Sequence, residues 1–289
     1  MNPEGKEAYV EEILAWRREK DESLRRRDGW LALAGLHWLA EGTQSAGSGD
    51  GVDILLPASV PRSLGTLELR HARAFFRRDP SLPAPLEGEP VNGEPLRPDV
   101  DDHPDFLRLG DITLALIERA GRLGLRVWNN ARPERTTFRG RTWFPVDRAW
   151  SVRARFEPAA GGQKILVPNQ LGDLNEEPLL GTASFTVNGD TGTLQAVPTE
   201  DGKLWFLFAD ATNGKTTYPS GRFLIARPAE NGLVLLDFNR AYSPPCAFTP
   251  YATCPLPPQD NHLPVSIEAG ETYETGLTHA DVHTPKPEG

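Results

Sequence analysis

Near the start of the chain, apolar residues recur with helical spacing. Tyr9, Ile13, Trp16 and Leu24 are separated by four, three and eight positions, with charged residues between them. That spacing puts them on one face of a helix, read here over residues 5–27. Asp28-Gly29 is a stop signal, and Arg25, Arg26 and Arg27 sit where cations favour the helix dipole. A dense apolar run follows from Trp30 to Leu39 and predicts a buried segment, read as extended, with a short helix left open by periodicity alone.

Beyond it the period changes from helical to alternating. Short apolar-polar alternations predict strands at 52–56, 66–69, 74–77, 106–109, 113–119 and 123–128. Asn92-Gly93, Gly110-Asp111 and Ala120-Gly121 read as turns. A polar stretch, 129–141, interrupts the series. Strands then resume at 151–156, 164–167, 181–187, 193–197, 204–209, 222–226 and 233–238, with a last candidate at 264–267. Asn188-Gly189 and Asn231-Gly232 predict hairpins. The expectation is a mostly β protein. Its parts are an N-terminal helix (1–28), a β-sandwich (29–135), a second antiparallel sheet or barrel (136–274) and a polar tail (275–289) read as disordered.

Composition fits this picture. Pro and Gly number 27 each in 289 residues, as many short strands and turns require. A net charge of -9 argues against a nucleic-acid partner. No apolar run approaches membrane-spanning length. The start of the chain is charged rather than apolar, and the expected compartment is the cytoplasm. Only Cys246 and Cys254 are present, too few for a disulfide framework.

Chemistry-bearing residues crowd at strand ends in the second half. Asp210, Thr212 and Asn213 leave one predicted strand, Tyr218 and Arg222 lead into the next, and Asp237, Asn239 and Tyr242 leave a third. If these strands are neighbours, the groups gather at one end of a sheet, a common place for a binding site. The Asn231-Gly232 hairpin would bring Arg222 beside Asp237 or Asn239, depending on register. Arg222 offers a planar fork for an anionic group, the carboxylates could serve as bases, and Tyr218 could donate a proton. The candidate ligand-binding set is Asp210, Asn213, Tyr218, Arg222, Asp237, Asn239 and Tyr242. Two readings stay open: a pocket for an anionic small molecule, or tight turns and an ion pair that serve only the scaffold.

Cys246, Cys254 and His262 lack a fourth ligand and have wide spacing, so no metal is expected. His37 reads as a core or rim residue. His71 and His103 lie by turns, and His279 and His283 sit in the polar tail. No phosphate loop, dinucleotide fingerprint or nucleophile elbow is present, and no cofactor is called for. An enzyme of hydrolase or lyase type on an anionic substrate and a non-catalytic binding protein are both compatible with these residues.

Several strings resemble a bacterial and archaeal family, the domain of unknown function DUF1684. They are Gly29-Trp-Leu-Ala-Leu-Ala-Gly-Leu-His-Trp-Leu39, Arg139-Gly-Arg-Thr-Trp-Phe-Pro145, the run from Asp210 to Phe223, the run from Leu236 to Cys246, Tyr251-Ala-Thr-Cys-Pro-Leu-Pro-Pro258, and Ala269-Gly-Glu271. The resemblance implies no known activity. In the first half, the order of 46–57, 91–96 and 107–112 is similar to a forkhead-associated (FHA) β-sandwich, a phosphothreonine reader. Ser48 stands where that motif carries Arg, so the likeness implies the fold and argues against phosphopeptide binding.

Overall fold

The computed structural model describes residues 3–273. The chain is mostly β, with a single long helix, α1 (Pro3–Arg25), at its start. Tyr9, Ile13 and Leu24 are buried on its inner face, as their spacing predicts, and Trp16 is half-buried. Asp28 ends the helix in the left-handed region (φ 57), and a Cβ on Gly29 would meet the Leu24 carbonyl oxygen at 2.7 Å. Among the described residues no helix is long and apolar enough to cross a membrane. The predicted disordered tail, with His279 and His283, lies outside the described residues.

The chain divides into two compact units, one formed by residues up to Glu22 with those from Arg139 on, the other by Ser23–Phe138. The Ser23–Phe138 unit carries β1 (Leu33–Trp38), β2 (Gly42–Gly47), β3 (Ile54–Leu55), β4 (Gly65–Arg70), β5 (Arg73–Arg78), β6 (Phe106–Leu109), β7 (Ile112–Arg119), β8 (Arg122–Asn129) and the short α2 (Pro133–Thr137). Two four-stranded sheets, ordered β1-β8-β7-β6 and β3-β2-β4-β5, share one core. Ala46, Leu67 and Phe76 face it from one sheet, Leu107, Leu114, Leu125 and Val127 from the other. This is a β-sandwich.

Gly110-Asp111 and Ala120-Gly121 make the expected two-residue turns, closing Leu109↔Ile112 and Arg119↔Arg122. Asn92-Gly93 joins no paired strands. It lies in a single 3-10 turn, Val91–Gly93, within the long connection from β5 to β6. Strand β2, Gly-Thr-Gln-Ser-Ala-Gly, has no apolar alternation to announce it and was not expected.

The other unit carries β9 (Thr142–Trp143), β10 (Ser151–Pro158), β11 (Lys164–Pro168), β12 (Leu174–Pro178), β13 (Gly181–Val187), β14 (Asp190–Pro198), β15 (Leu204–Phe208), β16 (Arg222–Ala226), β17 (Leu233–Asp237) and β18 (Glu271–Thr272). Six of these form one antiparallel sheet, ordered β16-β15-β14-β13-β10-β17. Phe156, Phe185, Phe206, Phe208, Leu224, Leu236 and Phe238 fill its core. Each contributes about 1.5–3 kcal/mol by burial.

Asn188-Gly189 makes its hairpin, with Val187 opposite Asp190 and φ of 53° and 93° at the two turn residues. Asn231-Gly232 does not join β16 to β17. It closes only the bridge Glu230↔Leu233, after which β17 pairs with β10 and β16 with β15. The two strands are the opposite edges of the sheet, which curls so that they approach each other without a ladder. Residues 264–267 are not a strand. Their backbone is held irregularly, the Ala211 N–H donating to the Val265 carbonyl and the Ile267 N–H to Asp210.

Candidate functional site

The loop leaving β15 forms a self-contained polar knot. Asp210 Oδ1 accepts from the Thr212 N–H at 2.8 Å and the Thr212 hydroxyl at 2.6 Å. Asn213 Oδ1 accepts from the Asp210 N–H, and its amide donates to the Tyr218 carbonyl. The Thr212 and Thr217 hydroxyls lie 2.8 Å apart. Arg222, at the start of β16, donates to Asp210 Oδ2 at 2.6 Å and to the carbonyls of Ile267 and Ala269. Its side chain is 0% exposed. So Arg222 finds Asp210 rather than Asp237, and its fork is spent tying the β15–β16 loop to the segment before β18.

Asp237 and Asn239 form a second network, directed at α1. Asp237 Oδ1 accepts from the Tyr9 hydroxyl at 2.8 Å and from the Asn239 side-chain amide at 3.1 Å. That amide also donates to the Asp147 carbonyl at 2.7 Å, while Asn239 Oδ1 accepts from the Asp147 N–H at 3.0 Å. Burial, followed by the neighbouring Asp237, pushes the Tyr9 pKa above its ordinary value. This network and the Arg222–Asp210 set share no hydrogen bond.

A third cluster lies around Tyr242. Trp16 and Lys20, one helical turn apart on α1, both reach it. The Lys20 ammonium stands 3.9 Å from the Tyr242 ring centroid, and Trp16 meets the rings of Tyr242 and Trp143 edge-on. Strands β9 and β18 pair, with Glu271 opposite Trp143. This brings Arg141, just before β9, to Glu271: Nε and Oε2 are 2.9 Å apart, and the side chains are 4% and 3% exposed. Glu271 Oε2 also accepts from the Ser243 N–H at 2.8 Å. Arg141 stacks on Phe248 and donates to the Lys20 carbonyl. Gly270 (φ 82) is required just before the acid, since a Cβ there would fall 2.5 Å from the Ala241 carbonyl oxygen.

Burial raises the Glu271 pKa to about 7 against the pull of Arg141. Burial, with Arg141 adding to it, lowers Lys20 to about 8. Burial raises Tyr242 to about 12. An acid and an amine thus both titrate close to neutrality below a half-buried rim of Trp16, Trp143, Tyr242 and Phe248.

Of the seven candidates, Asp210, Asn213, Tyr218 and Arg222 gather round the β15–β16 loop, Asp237 and Asn239 hold α1, and Tyr242 alone joins the titrating cluster. Lys20, Arg141 and Glu271 were missed, although Arg139-Gly-Arg and Ala269-Gly-Glu271 were singled out as strings. Their polarity was legible, but the β9–β18 pairing that joins them was not. A separate cleft of about 730 Å³ is lined by Arg153, Arg155, Ser184, Thr186, Thr191, Thr193 and His262 among others, and by none of the seven. Among the described residues no group of three or more His, Cys, Asp and Glu is placed to hold a metal ion.

No curated protein matches the chain. A solution NMR structure of an uncharacterized protein from Haloarcula marismortui is 30% identical, covering 50% of this chain and 83% of that one, with a TM-score of 0.42. A family match spans residues 136–272, which takes in both the β15–β16 loop and the Arg141–Glu271 pair and leaves the string at 29–39 outside. That segment is similar to the family described as "Protein of unknown function (DUF1684)".

Proposed function

We propose that the C-terminal unit binds a small anionic molecule at Lys20, Arg141, Glu271 and Tyr242 and acts on it by proton transfer, as a hydrolase or lyase does. One arrangement carries this reading: Arg141 joins the buried Glu271, 2.9 Å away, to the Lys20 carbonyl, and the Lys20 ammonium stands 3.9 Å from the Tyr242 ring. Burial raises the Glu271 carboxyl to about 7 and lowers the Lys20 ammonium to about 8. A general base works best with a pKa near the operating pH. The half-buried Lys20 supplies the charge an anion needs, and the aromatic rim supplies apolar contact. In this reading the Asp210–Arg222 knot braces the site.

A non-catalytic binding role is the second reading. It is favoured by the enclosure of Glu271, which already has Arg141 and the Ser243 N–H as partners. The sandwich of the Ser23–Phe138 unit supports an FHA-like scaffold, without phosphopeptide binding: the Ser48 hydroxyl donates to the Val60 carbonyl. Two cysteines that form no disulfide support a cytoplasmic setting.

The test is a thermal-shift screen of small carboxylates and phosphates on wild type, Lys20→Met and Glu271→Gln. A ligand at a hundred times its Kd adds about 2.7 kcal/mol of stability. The expected result is a rise in Tm that Lys20→Met loses. An anion that stabilises wild type and Lys20→Met equally would place binding elsewhere. Turnover of that ligand, abolished in Glu271→Gln, separates enzyme from binder.

A further inference from the structure

Cys246 and Cys254 are the chain's two cysteines, neither in a disulfide, and both sit in the proline-rich segment after Ser243. Pro244, Pro245, Pro250 and Pro255 stiffen this segment. Cys246 lies at the centre of the 3-10 turn Pro245–Ala247. Its N–H donates to the Cys254 sulfur at 3.2 Å, so the loop closes on itself and the two residues meet. The turn after β11 holds both: the Gln170 N–H donates to the Cys254 carbonyl at 3.0 Å, and the Gln170 side-chain amide reaches the Cys246 sulfur at 3.5 Å. The Tyr218 hydroxyl donates to the Cys246 carbonyl at 3.1 Å.

The two thiols are unequal. Cys254 is 4% exposed, whereas Cys246 is half-buried and can be reached from solvent. Hydrogen bonding from the Cys254 side chain, and then from Tyr218 and Gln170, outweighs burial and lowers the Cys246 pKa. An accessible thiol with hydrogen-bond donors aimed at it is the more reactive member of a pair, and a buried thiol held against it can resolve its oxidised form.

We propose that Cys246 and Cys254 form a reversible oxidation site, with Cys246 attacking a hydroperoxide and Cys254 resolving the product. The Cys246 thiolate attacks one peroxide oxygen and the O–O bond breaks. Cys246 becomes a sulfenic acid, and the other oxygen leaves as alkoxide or hydroxide, protonated by solvent. The Cys254 thiol then attacks the sulfenic sulfur, a disulfide forms, and water leaves. Two thiols and one hydroperoxide give one disulfide, one alcohol or water, and one further water. A dithiol reductant restores the pair. Forming the bond draws together the two ends of the turn that Tyr218 and Gln170 hold. This inference does not rest on the proposed anion site.

The test uses the reduced full-length protein treated with hydrogen peroxide and mapped by mass spectrometry without reduction. The expected product is an intramolecular Cys246–Cys254 linkage that dithiothreitol reverses. In Cys254→Ser the reaction should stop at a sulfenic acid on Cys246, trapped by dimedone. Trapping there should be at least about tenfold faster than at Cys254 in Cys246→Ser. Wild-type protein that keeps both thiols alkylatable after peroxide, forms only intermolecular disulfides, or has Cys254 as the faster thiol overturns the proposal.

Discussion

Arg222 and Asp210 form an ion pair that solvent does not reach, Nη2 to Oδ2 at 2.6 Å with both side chains 0% exposed. The carbonyls of Ile267 and Ala269 also accept from the guanidinium, and its buried Nε makes no hydrogen bond among the described residues. A buried charge so held is costly to leave unpaired. Arg222→Ala should lower unfolding stability by about 3–5 kcal/mol, and Asp210→Ala by a similar amount. Urea unfolding followed by circular dichroism reads both. A change within experimental error would mean that the pair is not closed in solution.

Tyr9 ties α1 to the sheet through Asp237 and Asn239, 2.8 and 3.0 Å from its hydroxyl. Tyr9→Phe keeps the ring against the core but leaves Asp237 and Asn239 one partner short. The expected loss is about 1–3 kcal/mol, the cost of unsatisfied buried polar groups. Equal midpoints for Tyr9→Phe and wild type in urea would show that water replaces the hydroxyl.

Glu271 and Lys20 set a pH profile. The Glu271 pKa rises on folding from 4.5 to about 7, so between those values the native state binds more protons than the unfolded chain. Its contribution is therefore most favourable below pH 4.5 and is lost as pH rises through about 7, with a slope of at most about 1.4 kcal/mol per pH unit. The Lys20 pKa falls on folding from 10.5 to about 8, so its contribution improves as pH climbs from about 8 to 10.5. The two together are least favourable between these folded values. Chemical denaturation at about pH 5, 7.5 and 9.5 should show Glu271→Gln flattening the acid side and Lys20→Met the alkaline side. An unchanged acid limb in Glu271→Gln would remove Glu271 as its source.

Gly65 and Gly42 separate crowding from backbone strain. Both have positive φ, 149° and 100°, but a Cβ on Gly65 would lie 2.1 Å from the Arg77 carbonyl oxygen, whereas one on Gly42 meets nothing within 4 Å. Gly65→Ala should cost more than the ~1–3 kcal/mol of strain alone, and Gly42→Ala no more than that. Equal urea midpoints for the two variants would show that the β4–β5 ladder yields to the added methyl.

The candidate site was legible in part. The crowding of Asp210, Thr212, Asn213 and Arg222 marks a real polar knot, because Asx and hydroxyl turn chemistry is local. The partner of Arg222 was not legible. Asn231-Gly232 has hairpin composition, yet its turn closes a single bridge, and β17 crosses to β10 on the far edge of the sheet. Turn residues report the local backbone angle. They do not report which strand the chain pairs with next.

The sequence by itself determined the elements whose causes lie within a few residues: the buried stripe of α1, its stop at Asp28-Gly29, and the hairpin at Asn188-Gly189, where period and positive φ are local properties. The tertiary structure alone decided the meeting of Lys20, Arg141 and Glu271. That meeting depends on the β9–β18 pair and on α1 docking through Tyr9 to Asp237. Contacts between residues so far apart are selected by burial and by the satisfaction of polar groups over the whole unit. The pKa shifts that distinguish Glu271 and Lys20 exist only once that burial has removed them from water.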